Sequence, residues 1–512
     1  MSVVDAVKSD PPGAPRARMM LQRARWAATA FAGFDADRTR RVVEAVVEAA
    51  YQNAERFAVD AVAETGMGVA EHKRRKNEAC SRGLLERYGS DDFAGVRIDA
   101  AAKIVAVPRP AGVVLALTPS TNPVATVYFK VILALMTRNA VVVSPHPMAR
   151  KVCAEAVRVL ARAAVAAGAP DGCLQVVDEP TIPLIEALMS DPGVDVIVAT
   201  GGTAVVRAAY RSGNPALGVG PGNVPALVDA TADPAAAARC LADSKAFDNS
   251  ILCTNESVAI VEERVAGAFC RELERNGAHV LDAEETERAR TALYPEGQIQ
   301  TALAGKDAAA LADAAGIRVP PGTRVLVAPF GLVVPEEPLA REKLFPLLGL
   351  VRVPDAARGI DAARALLRIG GAGHSAVIHS HDPRTILAYG AAVRVLRVTV
   401  NAPGSTGSSG LDTHLAPTMT VGTGFFGRSS LTENLEPRHL MQWTRVAYAS
   451  DPAEPFGDFT GLQPWTVTPA PAPPAAGPLP AEPRVGGEGD GRLSREDLRR
   501  LVLDELRDLV RG

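Results

Sequence analysis

One thiol in this sequence has the setting of a reactive group. Cys253 lies in FDNSILCTNES, after the polar, turn-forming run Asp248-Asn249-Ser250 and before the β-rich stretch VAIVEE. A thiol at the mouth of a strand can be reached by a ligand and can act as a nucleophile. The other five cysteines, Cys80, Cys153, Cys173, Cys240 and Cys270, read as small buried hydrophobes. No C-x-x-C pair or repeated spacing joins them, which argues against a zinc site and a disulfide framework and for a reducing cytoplasm. Two glycine motifs accompany the thiol. GVGPGNVPA sets Gly218, Gly220 and Gly222 at alternate positions, where the backbone can approach a ligand or a neighbouring strand; a plain glycine-rich turn is the other reading. GTGFFG, from Gly422 to Gly427, lacks both a βαβ context and the acidic residue about 20 positions on that a dinucleotide fingerprint requires, so it reads as a loop.

Elements must hold these groups in place. Ala, Arg and Glu with apolar residues at helical spacing predict a helical opening from about Arg16 to Tyr88. Short Val/Ile/Leu runs broken by Pro and Gly then predict a hairpin near Arg97–Pro110 and a buried strand from Val113 to Leu117. From there β-rich runs alternate with helical segments, the pattern of βαβ units and a parallel sheet. Ligands of such sheets sit beyond the strands' C-terminal ends. Those ends are TPSTNP with Thr118 and Pro119, SPHP with Ser144 and His146, and ATGG with Gly201 and Gly202. A helix through ADPAAAARCLADSKAFDN and a second α/β stretch up to about Gly427 follow.

At 512 residues the chain exceeds one ordinary core, so an α/β protein of two or more domains is expected. Lys plus Arg number 55 against 58 Asp plus Glu, which gives no electrostatic case for nucleic acid or a membrane surface. No apolar run reaches 18 residues and the N-terminus lacks a basic segment followed by an apolar one, so a soluble, unsecreted protein with small-molecule partners is expected.

Taken together, TPSTNP, ATGG, GVGPGN, the Cys253 segment and REKLFP resemble, in order and spacing, the aldehyde dehydrogenase superfamily and its coenzyme-A-acylating branch, over roughly residues 20–445. The resemblance implies that Cys253 attacks an aldehyde, that a hydride passes to NAD (NADP is not excluded), and that the resulting thioester passes to coenzyme A. It implies an oxyanion-stabilising amide at Asn122, whose alternative reading is a turn former before Pro123. Gly201 and Gly202 match the loop beside the cofactor phosphates, and Glu342 matches a glutamate on the nicotinamide-side ribose; a solvated helix charge is the plainer reading of Glu342. His146 in SPHP stands where hydrolytic relatives carry a ribose-contacting lysine. His374 in GAGHSAVIHS matches the acylating branch, with deprotonation of the coenzyme A thiol and a structural role both open.

One departure selects the reaction. Hydrolytic members carry a water-activating glutamate where this sequence has Gly218; without that base, water is a poor acceptor and a thiol wins.

The resemblance also implies two α/β domains, over 1–235 and 236–430, with 431–465 returning to an oligomerisation region that includes the 97–110 hairpin, and hence a dimer or tetramer. Residues 466–491 hold seven Pro and five Gly, an extended linker, and 492–512, RLSREDLRRLVLDELRDLVRG, form an amphipathic helix. That pair is similar to the encapsulation peptides of bacterial microcompartment enzymes, implying shell or cargo proteins as partners; docking back on its own protein is the alternative. The expected function is therefore oxidation of a small aldehyde to acyl-CoA, against a hydrolytic dehydrogenase or an inactive cargo adaptor.

Overall fold

The computed structural model describes residues 11–465, so the linker and tail expectations at 466–512 lie outside the described residues. The opening is helical from Ala14 to Tyr88, as five helices: α1 (Ala14–Ala32), α2 (Ala36–Gln52), α3 (Ala54–Thr65), α4 (Ala70–Ala79) and α5 (Arg82–Tyr88). Local chemistry sets the breaks. The Asp35 side chain accepts from the Arg38 amide to start α2, and Gly66, at φ 69°, closes α3 in the left-handed conformation that glycine adopts without penalty.

The hairpin β1 (Arg97–Asp99) and β2 (Ile104–Pro110) leads into a parallel five-stranded sheet. Its strands are β3 (Val113–Thr118), β4 (Ala140–Pro145), β5 (Leu174–Val176), β6 (Val196–Thr200) and β7 (Ala216–Val219), in the order β5-β4-β3-β6-β7. Every residue of β3 and β4 is buried, as the unbroken apolar runs demand of strands covered on both faces. The connecting helices are α6 (Pro123–Met136), α7 (Arg150–Ala166), α8 (Ile182–Ser190) and α9 (Thr203–Arg211). Because β4 and β6 flank β3 on opposite sides, the strand order reverses there, and a crevice opens between the ends of β3 and β6.

A second parallel sheet of seven strands follows: β8 (Val224–Val228), β9 (Glu256–Glu262), β10 (Ala278–Val280), β11 (Val325–Pro329), β12 (Leu347–Val353), β13 (Ala376–His379) and β14 (Val398–Val400). The sequence expectation of a crossing near 235 is corrected by β8, which pairs with β9 and β13. The chain changes sheets within 220–223, and composition carries no mark of this because both sheets are built from the same Val/Ala/Leu runs. Helix α10 (Pro234–Ala246) then covers the second sheet and delivers the chain to Cys253. Finally β15 (Met441–Ala447) pairs antiparallel with β2 along its whole length, Met441 opposite Pro110 and Ala447 opposite Ile104. Among the described residues no helix is long and apolar enough to cross a membrane.

Candidate active site

Cys253 is presented by a strained turn. After α10 three consecutive residues take positive φ, Asp248 and Asn249 at 51° and Ser250 at 61°. Asp and Asn tolerate this region and Ser less so, at about 1–3 kcal/mol each, so the turn needs outside support. Asp248 supplies it. Its Oδ1 accepts from the Val69 amide at 2.6 Å and its Oδ2 from Lys73 Nζ at 3.1 Å and from Lys76 Nζ, while its own amide donates to His72 Nδ1 at 2.8 Å. Asn249 Nδ2 donates to the Gly305 carbonyl at 2.9 Å. Phe247, Ile251 and Leu252 pack together beneath, and His72 stacks on Phe247 with ring centroids 4.6 Å apart. Past the thiol, Thr254 and Asn255 bond the Ser405 and Ser244 carbonyls and β9 begins. Helix α4 thus straps the turn from the N-terminal side of the molecule.

Asn122 caps α6 with its backbone only: its carbonyl accepts from Thr126, and Pro123 occupies the first helical turn. Its side chain does something else. Lys76 Nζ donates to Oδ1, and Nδ2 donates to Thr121 Oγ1 at 3.3 Å. Asn122 thus starts the helix through its main chain, while its side-chain amide is held by Lys76 and Thr121.

The third glycine of GVGPGN makes the close approach. A Cβ on Gly222 would lie 2.0 Å from the Cys253 carbonyl oxygen and 3.4 Å from His374 Nδ1, so no side chain fits there. The Gly222 amide donates to Glu342 Oε1 at 3.0 Å. One glycine backbone thus gathers Cys253, His374 and Glu342. The sequence reading placed weight on Gly218 and Gly220 instead. Gly218 lies within β7, its amide bonded to the Tyr210 hydroxyl at 3.0 Å and its carbonyl to Ser429 Oγ at 2.6 Å. A Cβ there would meet Val206 and Tyr210, and one on Gly220 would meet nothing within 4 Å.

The electrostatics of the thiol differ from a preformed thiolate. Burial pushes the Cys253 thiol up to about 12, Glu342 adds to the rise, and Arg397 and Lys76 oppose it. Burial likewise raises Glu342 to about 8, against the Gly222 amide and the nearby Lys245 and Lys343. The resting thiol is therefore protonated, and the Glu342 carboxyl bonded to the Gly222 amide holds its proton to unusually high pH. His374 is fully buried, its Nδ1 against Ser375 Oγ at 2.9 Å and its Nε2 without a partner among the described residues. Burial lowers its pKa to about 3, with Arg397 adding to the effect, so the imidazole is neutral. Arg397 bonds the His374 carbonyl at 3.0 Å and the Gly422 carbonyl at 2.5 Å, tying GTGFFG to GAGHS. GTGFFG itself is a loop with one short turn at Phe425–Gly427.

The remaining residues lie at the crevice of the five-stranded sheet. Thr118 ends β3 beside Pro145 of β4, Ser144 pairs with Leu117, and Pro119 begins the loop that carries Asn122. The His146 amide donates to the Thr118 carbonyl at 3.0 Å, and burial lowers its imidazole to about 4, leaving it neutral. Across the crevice Gly201 follows β6, and Gly202 precedes the first turn of α9 with no side chain capping it. Free amides at that helix start, opposite Thr118 and Pro119, suit a pyrophosphate.

Lys73, Lys76, His72 and Arg397 escaped the sequence reading. The i, i+3 spacing of Lys73 and Lys76 on α4 was a faint signal, since it puts two cations on one helix face.

The aldehyde dehydrogenase family profile matches residues 12–414. The chain is 34% identical over 434 residues to the bifunctional aldehyde-alcohol dehydrogenase of Escherichia coli, covering 84% of this chain and 49% of that one. It thus spans about half the length of those bifunctional relatives. It is also 34% identical over 441 residues to the succinate-semialdehyde dehydrogenase (acetylating) of Clostridium kluyveri, covering 85% of this chain and 96% of the relative. Among solved structures, an acetylating aldehyde dehydrogenase from Geobacillus thermoglucosidasius superposes with TM-score 0.84 at 35% identity over 86% of this chain and 97% of the other. A propionaldehyde dehydrogenase from the Clostridium phytofermentans fucose utilisation bacterial microcompartment superposes at 0.78 with 27% identity over 84% and 97%. The Rhodopseudomonas palustris propionaldehyde dehydrogenase, solved with bound CoA and an acylated cysteine, gives 0.76 at 27% identity over 84% and 97%. With its two parallel sheets and the thiol turn between them, the chain belongs to the aldehyde dehydrogenase family.

Proposed function

We propose that this protein oxidises a small aldehyde to an acyl-CoA through a thioester on Cys253, with NAD as the hydride acceptor and NADP as the alternative. The observation that carries this reading is the link between the thiol turn and the amide: Asp248 and Asn122 share the Lys76 ammonium. Cys253 loses its proton, for which the ionised Glu342 carboxylate is the proposed acceptor, and its sulfur attacks the carbonyl carbon. Charge develops on the substrate oxygen, and the second N–H of the Asn122 amide stabilises it. The ends of β3 and β6 would hold a nicotinamide cofactor, which would supply the hydride acceptor, and coenzyme A would serve as the acyl acceptor. Gly201 and Gly202 supply the phosphate contact, with Thr118, Pro119, Ser144 and His146 across the crevice. His374 supports the Cys253 side of Gly222 and offers an unpaired nitrogen to the incoming thiol.

A second reading, hydrolysis to the free acid, is favoured by one feature, the Glu342 carboxyl that is bonded to Gly222 and acts electrostatically on the thiol. Relatives named acetylating favour acyl transfer. The deciding experiment supplies acetaldehyde, propionaldehyde and a set of charged aldehydes with NAD or NADP, with and without coenzyme A, and follows the reduced cofactor. Acyl-CoA formation that requires coenzyme A supports the proposal; free acid at the same rate without coenzyme A replaces it with the hydrolytic reading.

The 492–512 segment extends the proposal to a microcompartment cargo enzyme, supported by the linker-plus-amphipathic pattern and by the microcompartment relative. Removing 492–512 is expected to leave kcat/KM within about twofold and to abolish association with shell or cargo proteins. Assembly through β1, β2 and β15 as a dimer or tetramer completes the reading, because among the described residues that small sheet leaves two strand edges unpaired.

A further inference from the structure

We infer that Lys76 is a positioning residue for the oxyanion: it fixes which way the Asn122 amide faces and is itself held in place by Asp248 of the thiol turn. The inference rests on the reading of Asn122 as the oxyanion donor given above.

An asparagine amide has an oxygen that accepts and a nitrogen that donates, and nothing in the side chain's shape chooses between its two orientations. An ammonium chooses, because it only donates. Lys76 Nζ meets Asn122 Oδ1, so Oδ1 must face α4 and Nδ2 must face away from it. One Nδ2 hydrogen goes to Thr121 Oγ1 at 3.3 Å, and the other is left to meet a substrate oxygen.

Lys76 is 1% exposed, so its charge needs a partner, and that partner is Asp248, which also receives Lys73 at 3.1 Å. Lys73 Nζ additionally donates to the Thr121 carbonyl at 3.1 Å, fixing the residue before the amide. Burial lowers the Lys76 ammonium to about 8 against the pull of Asp248, and it stays protonated at neutral pH. Two lysines thus stitch the Asn122 loop and the Cys253 turn to one face of α4. A buried ion pair is weak evidence of stabilisation, because desolvation offsets attraction; its use in orienting other groups is better attested.

The test is a double-mutant cycle on the full-length protein, measuring kcat/KM for the aldehyde at saturating coenzyme A, with Kd for NAD by titration. Lys76→Met is expected to lower kcat/KM by about 100-fold with Kd for NAD within twofold, in line with loss of one oxyanion donor. In an Asn122→Ala background the same substitution is expected to add less than about threefold, since the amide it orients is gone. Equal losses in both backgrounds, or a folded Lys76→Met enzyme within threefold of the native one, overturn the inference. Should Lys76→Met show no cooperative melting transition, Lys76→Gln carries the same cycle, with a neutral side chain in place of the ammonium and Asp248 still paired with Lys73. Native activity in Asn122→Ala alone would instead bring down the oxyanion reading itself, and this inference with it.

Discussion

The nucleotide crevice and the thiol site are built in different ways. At the crevice Thr118, Ser144, Gly201 and Gly202 sit where they do because strands end there, and main-chain groups do most of the holding. At the thiol site side chains hold other side chains across 172 to 175 positions of sequence, from Lys73 and Lys76 of α4 to Asp248. A site of the first kind tolerates side-chain change and responds through affinity. A site of the second kind fails in rate when one link is cut.

The largest effect is expected at the sulfur. Cys253→Ala should lower aldehyde oxidation by at least about 10⁴-fold while NAD still binds, as loss of a nucleophile does elsewhere. Retained turnover, measured with and without coenzyme A, would move the chemistry to another group. Next comes Gly222→Ala. Its Cβ would fall 2.0 Å from the Cys253 carbonyl, so the turn must shift, and misplacement of about 1 Å is worth about 100-fold in rate. A variant with native kcat would mean that Gly222 and Cys253 do not depend on each other.

These two positions also mark what sequence could and could not reveal. The all-apolar runs of β3 and β4, Pro123 after Asn122 and the polar approach to Cys253 are local patterns, and local pattern governs strands, helix starts and turns. EHKRRKNEA is different. Read alone it is a charged surface helix, and only the packing of α4 against α3, α6 and the 247–250 turn buries Lys73 and Lys76. GVGPGN shows the same limit at finer scale, since alternate spacing cannot say which glycine makes the contact. The boundary at 235 shifted for a third reason: which sheet a strand joins depends on long-range pairing that a Val/Ala/Leu run does not encode.

Glu342 sits where the two regions meet, and its titration sharpens the contrast. Its folded pKa is about 8 against an ordinary 4.5, so the native state binds this proton more tightly than the unfolded chain. Stability from this group is therefore full below the ordinary value and falls as pH rises toward 8. Glu342→Gln keeps an acceptor for the Gly222 amide without the charge. It is expected to melt several degrees above the native protein at about pH 9 and to match it near pH 4, with at most about 5 kcal/mol involved. Activity should move the opposite way, with the rise in kcat/KM through about pH 8 lost. Parallel melting curves at both pH values would place Glu342 in water and out of the site.

The smallest effects belong to the crevice glycines. Gly201→Ala puts a Cβ 2.7 Å from Val205 Cγ1, the tip of a half-buried side chain that can turn aside. The expected result is a three- to tenfold weaker Kd for NAD, of order 1 kcal/mol, with Cys253 alkylated at the native rate. Gly220→Ala meets nothing within 4 Å and should be near silent in both measurements, although it lies two residues from Gly222. If Gly220→Ala instead slows catalysis as Gly222→Ala does, the whole 218–223 segment moves as a unit, and the division between a backbone-built crevice and a side-chain-built thiol site no longer holds at their boundary.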